Sequence, residues 1–192
     1  MTTTFRFASR DLEAFPDDGK RYEIIDGELY VSKQPHFCHQ VVCLDVAMKL
    51  QQWSLKSGAG RAVAAPGLIF ADDDDVAPDV IWISTERLGN ALGPDGKLHM
   101  APELIVEVLS PGSTNERRDR EAKLKLYSRR GVDEYWIVDW RRRQIDAFRR
   151  SREGLIAAAS LSGTDLLCSP LLPGFSCAAS DVFAGVPADV QA

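Results

Sequence analysis

Two stretches near the middle of the chain are apolar at almost every position, Leu104-Ile-Val-Glu-Val-Leu109 and Tyr135-Trp-Ile-Val138. Runs rich in β-branched and apolar residues, without polar alternation, predict strands covered on both faces. Between them the pattern becomes helical to about Arg130. Ser113 or Thr114 offers an N-terminal cap, and Gly131 offers a stop. Short connections then fold the helix back along the first strand. One carboxylate interrupts that strand. On a period of two, Glu107 shares a face with Ile105 and Leu109, while Leu104, Val106 and Val108 take the other. An ionised carboxylate on such a surface is costly unless a cation or donor meets it.

The flanking pattern predicts a short helix from Asp11 to Phe15, stopped by Pro16 and the Asp17-Asp18-Gly19 turn. Tyr22–Ile25, Asp26-Gly27 and Glu28–Val31 form a hairpin signal, with Asp-Gly favouring a type I′ turn. Glu23 reads as a surface position of that hairpin; Glu28 stays open as a candidate acid. From His36 to Lys56 the period is helical, and Phe37, Val41, Leu44, Met48 and Leu55 predict the apolar face. His39 lies one turn before Cys43 and points to the apolar side, where a histidine is usually a satisfied core residue. Arg61–Phe70 reads as extended with a bend at Pro66-Gly67, Asp72–Asp75 as an exposed turn, and Val76–Ser84 as a strand. In that strand Asp79 shares a face with Ile81 and Ile83. Thr85–Met100 reads as a polar, mobile connection. Ile145–Arg149 and Leu155–Leu161 add strands, and Ser180–Phe183 a short closing helix.

The chain has 192 residues, enough for one domain (1–192, core about 20–185). No stretch approaches the roughly 20 apolar residues of a membrane span. The first residues lack the apolar core of a signal peptide, so a cytoplasmic location is expected. Cys38, Cys43, Cys168 and Cys177 lack paired metal-type spacing and read as reduced thiols. The net charge of −5 argues against a high-affinity nucleic-acid binder. Residues 116–152, however, hold 13 Lys and Arg against 7 Asp and Glu. A basic segment beside an acidic site suits a polyanion held next to a metal; solvated helix and hairpin faces explain the composition equally well.

The candidate chemistry lies in Asp79, Glu107 and Lys123. Glu107 to Ser110 spans about 10 Å at strand rise, and Thr114 to Lys123 about 13.5 Å at helical rise. Lys123 therefore returns to the level of Glu107. Asp119 and Tyr127 share its helix face. Carboxylates suit Mg²⁺ or Mn²⁺ with substrate phosphate, and a lysine can orient water and offset transition-state charge. That set describes phosphodiester hydrolysis. A buried Glu–Lys ion pair with Asp79 capping a strand is the competing reading.

Several ordered motifs carry a family resemblance. They are Tyr22-Glu-Ile-Ile-Asp-Gly-Glu28, His39-Gln40, Pro78-Asp79, Pro102-Glu-Leu-Ile-Val-Glu-Val-Leu-Ser110, Arg118-Asp-Arg, Lys123-Leu-Lys-Leu-Tyr127, Gly131-Val-Asp-Glu-Tyr-Trp-Ile-Val-Asp139 and Leu172-Pro-Gly-Phe175. Together they resemble the Uma-two family of restriction-endonuclease-like proteins, within the PD-(D/E)xK nuclease superfamily. The resemblance implies an α/β, restriction-endonuclease-like core: a mixed sheet flanked by helices, with an N-terminal hairpin. It also implies a Mg²⁺ (or Mn²⁺) site at Asp79 and Glu107, Glu28 as a further acid, and a nucleic-acid substrate, DNA ahead of RNA. The superfamily lysine belongs two residues after the second acid, where Leu109 stands here. Lys123 on the next helix matches the family's displaced lysine; Lys125 lies about 200° around that helix. His39 is an auxiliary candidate. Arg117, Arg118, Arg120, Arg141, Arg142 and Arg143 are expected phosphate contacts. A homodimer fits this reading. The alternative is a catalytically silent nucleic-acid or protein-binding module that retains the fold.

Overall fold

The computed structural model describes residues 5–188. In chain order its strands and helices are β1 (Arg21–Ile25), β2 (Glu28–Ser32), α1 (Phe37–Ser57), β3 (Gly60–Ala64), β4 (Leu68–Ala71), β5 (Asp74–Val76), β6 (Val80–Ser84), α2 (Thr85–Ala91), β7 (Leu104–Val108), α3 (Ser113–Arg117), α4 (Lys123–Arg129), β8 (Glu134–Asp139), β9 (Gln144–Ser151), β10 (Gly154–Ser162), β11 (Leu166–Cys168) and β12 (Ser176–Ala178). Short 3₁₀ turns at Ser9–Ala14 and Ala179–Phe183 flank them, and one π turn, Arg118–Ala122, joins α3 to α4.

Six strands form a mixed sheet of order β10-β9-β8-β7-β6-β3. β7 and β8 pair in parallel, Leu104 opposite Glu134 through Val108 opposite Val138; the helical segment between them makes the crossover. Four more strands, β2-β1-β5-β4, form a second sheet. The β1–β2 hairpin has the predicted turn: Asp26 and Gly27 both take positive φ, 54° and 74°.

The central sheet is covered on both faces, which explains the unbroken apolar runs of β7 and β8. Val80, Trp82, Leu104, Val106 and Val138 pack with Cys38, Val42, Val46 and Leu50 of α1. On the other face Ile81, Ile83, Ile105, Leu109 and Ile137 pack with Leu126, Tyr127 and Ile25. Glu107 lies on this second face, between the sheet and α4.

Three expectations of the pattern are corrected. In α1 the side that packs is Cys38, His39, Val42, Cys43, Val46, Leu50 and Ser54; Phe37, Leu44, Met48 and Leu55 face outward. The helix has apolar residues nearly all round, so period alone could not choose its inner side. Thr85–Met100 begins as α2, capped by Ser84, whose Oγ accepts from Arg87 N. Asp74 and Asp75 are buried, because the turn closes at Asp72-Asp73 and the next two acids enter β5. Among the described residues, no helix is long and apolar enough to cross a membrane.

Candidate metal and catalytic centre

The site forms where β7, the entry to β6, the hairpin strand β1 and the first turn of α4 meet. β7 contributes Glu107, 1% exposed. The π turn resets the helix so that Lys123, fully buried, points back at the sheet; single π turns often mark functional sites. Lys123 Nζ donates to Glu107 Oε1 at 2.8 Å and lies 2.9 Å from Glu23 Oε1 and 4.0 Å from Asp119 Oδ1. Tyr127, one turn on, donates its hydroxyl to Glu107 Oε1 at 2.7 Å. Lys125 is exposed on the far side of the helix.

Asp79 sits just before β6 and joins the strands. Its Oδ2 accepts from Val108 N at 2.9 Å, and its Oδ1 accepts from Arg21 Nη1 at 2.9 Å. His39 Nε2 approaches Asp79 Oδ2 to 3.2 Å. The structure thus gathers Asp79, Glu107, Lys123 and His39 in one buried cluster.

It does not bring Glu28 there. Glu28 is exposed on β2, opposite Ile25, and among the described residues accepts only from Tyr30 Oη at 3.1 Å. The hairpin acid in the cluster is Glu23, fully buried. Register puts both on the same face of the hairpin, since Glu23 pairs with Tyr30 and Glu28 with Ile25, but Glu28 stands at the turn end, next to Asp26-Gly27, and is exposed there. A signal for Glu23 was present: it directly precedes Ile24-Ile25, an acid beside an unbroken apolar run, like Glu107.

The expected phosphate contacts also divide. Arg118 is buried and structural, donating to Asp119 Oδ1 at 2.8 Å and to Ser32 Oγ. Arg120 donates to Asp146 at 3.0 Å and Arg141 to Glu116 at 2.6 Å. Arg143 donates to Val186 O at 3.1 Å. The partners of Arg120, Arg141 and Arg143 lie far off in sequence, whereas that of Arg118 is its neighbour Asp119. Arg117 is exposed, and Arg142, 72% exposed, lies 3.8 Å from Asp139.

Four carboxylates (Glu23, Asp79, Glu107, Asp119) face three obligate cations (Arg21, Arg118, Lys123); His39 adds charge only when protonated. The carboxylates are in excess, and the surplus appears at Glu107. Burial raises its pKa, Lys123 opposes this, and Asp79, Asp119 and Glu23 add to it, leaving it at about 8. For Asp79 burial also works upward, but the His39 hydrogen bond and charge, with Arg21, hold it well below the usual carboxylate range. Glu23 is held low because Lys123 and Arg118 outweigh its burial. Burial works against the Lys123 ammonium, yet Glu107 and Glu23 push its pKa up to about 12.

Two carboxylate oxygens in this cluster lack a hydrogen bond among the described residues. Glu23 Oε2 is buried, with Arg118 Nη1 no nearer than 3.6 Å. Glu107 Oε2 has no partner either, all its bonds falling on Oε1. The unpaired buried oxygen of Glu23, the unengaged Oε2 of Glu107 and the surplus negative charge fit a hard divalent cation.

The family model Uma2, described as "Putative restriction endonuclease", matches residues 9–180. A solved structure, that of "a putative nuclease belonging to DUF820" from Anabaena variabilis ATCC 29413, superposes with a TM-score of 0.74 at 16% identity, over 93% of this chain and 98% of that one. The type IIG restriction endonuclease BpuSI aligns at 17% identity over 76% of this chain but 15% of its own length, with a TM-score of 0.35. No curated protein is significantly similar in sequence. The Anabaena likeness shows a shared fold, a mixed sheet flanked by helices. With the family model spanning nearly the whole chain, this protein belongs to the Uma2 family of restriction-endonuclease-like proteins.

Proposed function

We propose that this chain is a metal-dependent endonuclease that hydrolyses nucleic-acid phosphodiester bonds, with residues 20–185 acting as one catalytic unit. The observation that carries the proposal is the surplus of buried carboxylate around Lys123, with oxygens of Glu23 and Glu107 left unpaired. Asp79 and Glu107 would hold Mg²⁺ or Mn²⁺, with Glu23 as a further acid. The ion would polarise a phosphoryl oxygen and acidify bound water. Lys123, with its pKa pushed up to about 12, stays an ammonium and serves as donor and counter-charge, not as a base. Tyr127 fixes the rotamer of Glu107, and Arg21 and Val108 N fix Asp79. The substrate strand approaches through a cavity of about 480 Å³ bordered by Lys33, His36, Ser110, Thr114 and Asn115. That cavity adjoins the cluster at Ser32, which accepts from Arg118. The family description favours DNA.

The test is cleavage of single- and double-stranded DNA and RNA at low salt with Mg²⁺ or Mn²⁺, beside Glu107→Gln, Asp79→Asn and Lys123→Ala. Cleavage lost in EDTA and in all three variants is expected. A folded protein that cleaves no polymer, and shows no heat of Mn²⁺ binding in calorimetry, would remove the proposal.

A further inference from the structure

Behind the carboxylates lies a donor set of different chemistry. His39 and Cys43 occupy successive turns of α1 and face the same way, at four-residue spacing. His39 Nδ1 lies 3.4 Å from Cys43 Sγ, and His39 Nε2 lies 3.2 Å from Asp79 Oδ2. One ligand atom from each of the three residues lies within 4.8 Å of the other two, and all three side chains are buried. We infer that His39, Cys43 and Asp79 form a second metal site, selective for a borderline-soft ion such as Zn²⁺ and distinct from the all-carboxylate pair.

The geometry suits that ion. Zinc bonds of about 2.0–2.3 Å in a tetrahedron hold neighbouring donors roughly 3.4–3.6 Å apart. The His39 Nε2–Asp79 Oδ2 separation is close to this; Cys43 Sγ touches the other ring nitrogen, so binding one ion requires a side-chain adjustment that draws in donors now within 4.8 Å of one another. Imidazole and thiolate prefer Zn²⁺ to Mg²⁺, whereas carboxylates alone do not. The supporting shell is built too: Arg21 holds Asp79 Oδ1 and Val108 N holds Asp79 Oδ2. One nitrogen of neutral His39, the Cys43 sulfur and one Asp79 oxygen supply three ligands, and water completes four. On binding, the Cys43 S–H bond is replaced by a Zn–S bond, and its proton leaves to solvent. Asp79 belongs to both sets, so zinc here withdraws it from the Glu107 pair. The inference rests on the donor geometry and stands whether or not the chain cleaves nucleic acid.

The experiment uses the whole chain stripped of metal. Co²⁺, which reports zinc-type sites, is added alone and then displaced by Zn²⁺. A thiolate-to-cobalt absorption band and intense visible bands, both lost on adding Zn²⁺, are expected. Cys43→Ser and His39→Gln should weaken Zn²⁺ binding by more than the roughly 10- to 100-fold that loss of an outer-shell partner costs. Cys38→Ser, Cys168→Ser and Cys177→Ser should leave the bands intact. Circular dichroism checks that each variant is folded. X-ray absorption of the zinc-loaded natural chain needs no variant and should show one sulfur among nitrogen and oxygen ligands. No thiolate band, a band that survives Cys43→Ser, or a zinc shell without sulfur would each overturn the site.

Discussion

Asp74 and Glu107 are both buried acids met by cations, yet their surroundings make them opposites. Asp74 accepts from Asp26 N at 2.9 Å, from Arg129 Nη2 at 2.8 and 2.9 Å, and from Arg130 Nε and Nη2 at 2.9 and 2.5 Å. Both of its oxygens are satisfied, and the two arginines are about one-third exposed. Burial pushes its pKa up, but the Asp26 amide and the two guanidinium groups more than reverse this. Glu107 shares its one ammonium with Glu23 and Asp119, leaves one oxygen unpaired, and has its pKa raised to about 8. A buried acid outnumbered by donors is a structural tie. On the proposed reading, a buried acid that outnumbers its donors is where a divalent cation would bind.

The sharpest way to break this contrast is to neutralise each acid. Glu107→Gln should cost cleavage at least about 10³-fold, the several kcal/mol that a metal's charge supplies to a transition state. Asp74→Asn should leave cleavage per folded molecule unchanged and instead lower stability by about 1–3 kcal/mol in urea unfolding, because the arginines lose their acceptor. Equal activity loss in both would dissolve the distinction. Lys123→Ala should cut cleavage by about 10²–10³-fold. It should also destabilise the metal-free fold by about 3–5 kcal/mol, since Glu23 and Glu107 then face each other without their shared cation. Unchanged stability would mean that Lys123 is not the charge that holds the cluster.

Proton linkage gives the next effect. The Glu107 pKa is raised from 4.5 to about 8, so its contribution to metal-free stability is full below pH 4.5 and is lost as pH rises through about 8. A bound cation must displace that proton. Mn²⁺ affinity, followed by calorimetry, should therefore climb by up to about tenfold per pH unit and level off above pH 8. Glu107→Gln should flatten both profiles; a slope that survives it belongs to another group. The smallest effect separates the hairpin acids. Glu23→Gln should weaken Mn²⁺ binding, whereas Glu28→Gln should change neither binding nor stability beyond about 0.5 kcal/mol.

Much of this was legible in the chain. Glu107 stood out because a carboxylate interrupting a two-face-covered strand needs a partner, and the helical rise brought Lys123 back to it. The Asp26-Gly27 turn and the strand–helix–strand core followed from local chemistry. The burial of Glu23 was harder to read, since a hairpin acid looks the same in sequence whether its face meets solvent or a second layer. The ion pairs of Arg120 and Arg141 were hidden for a related reason: a basic run shows no trace of distant acids such as Asp146 and Glu116. In α1, two candidate apolar sides differed only in which one the sheet would meet.

The sequence by itself determined the period of each element, the turn residues between them, and the identity of the acid that could not be left alone. Those properties depend on backbone geometry and on neighbours a few residues away. The tertiary structure decided which carboxylates share one ammonium, which arginines are already spent, and that His39 and Cys43 reach Asp79. Each of those outcomes depends on counting charges and donors in a volume a few ångströms across, filled from segments up to about a hundred residues apart, and no local pattern carries that count.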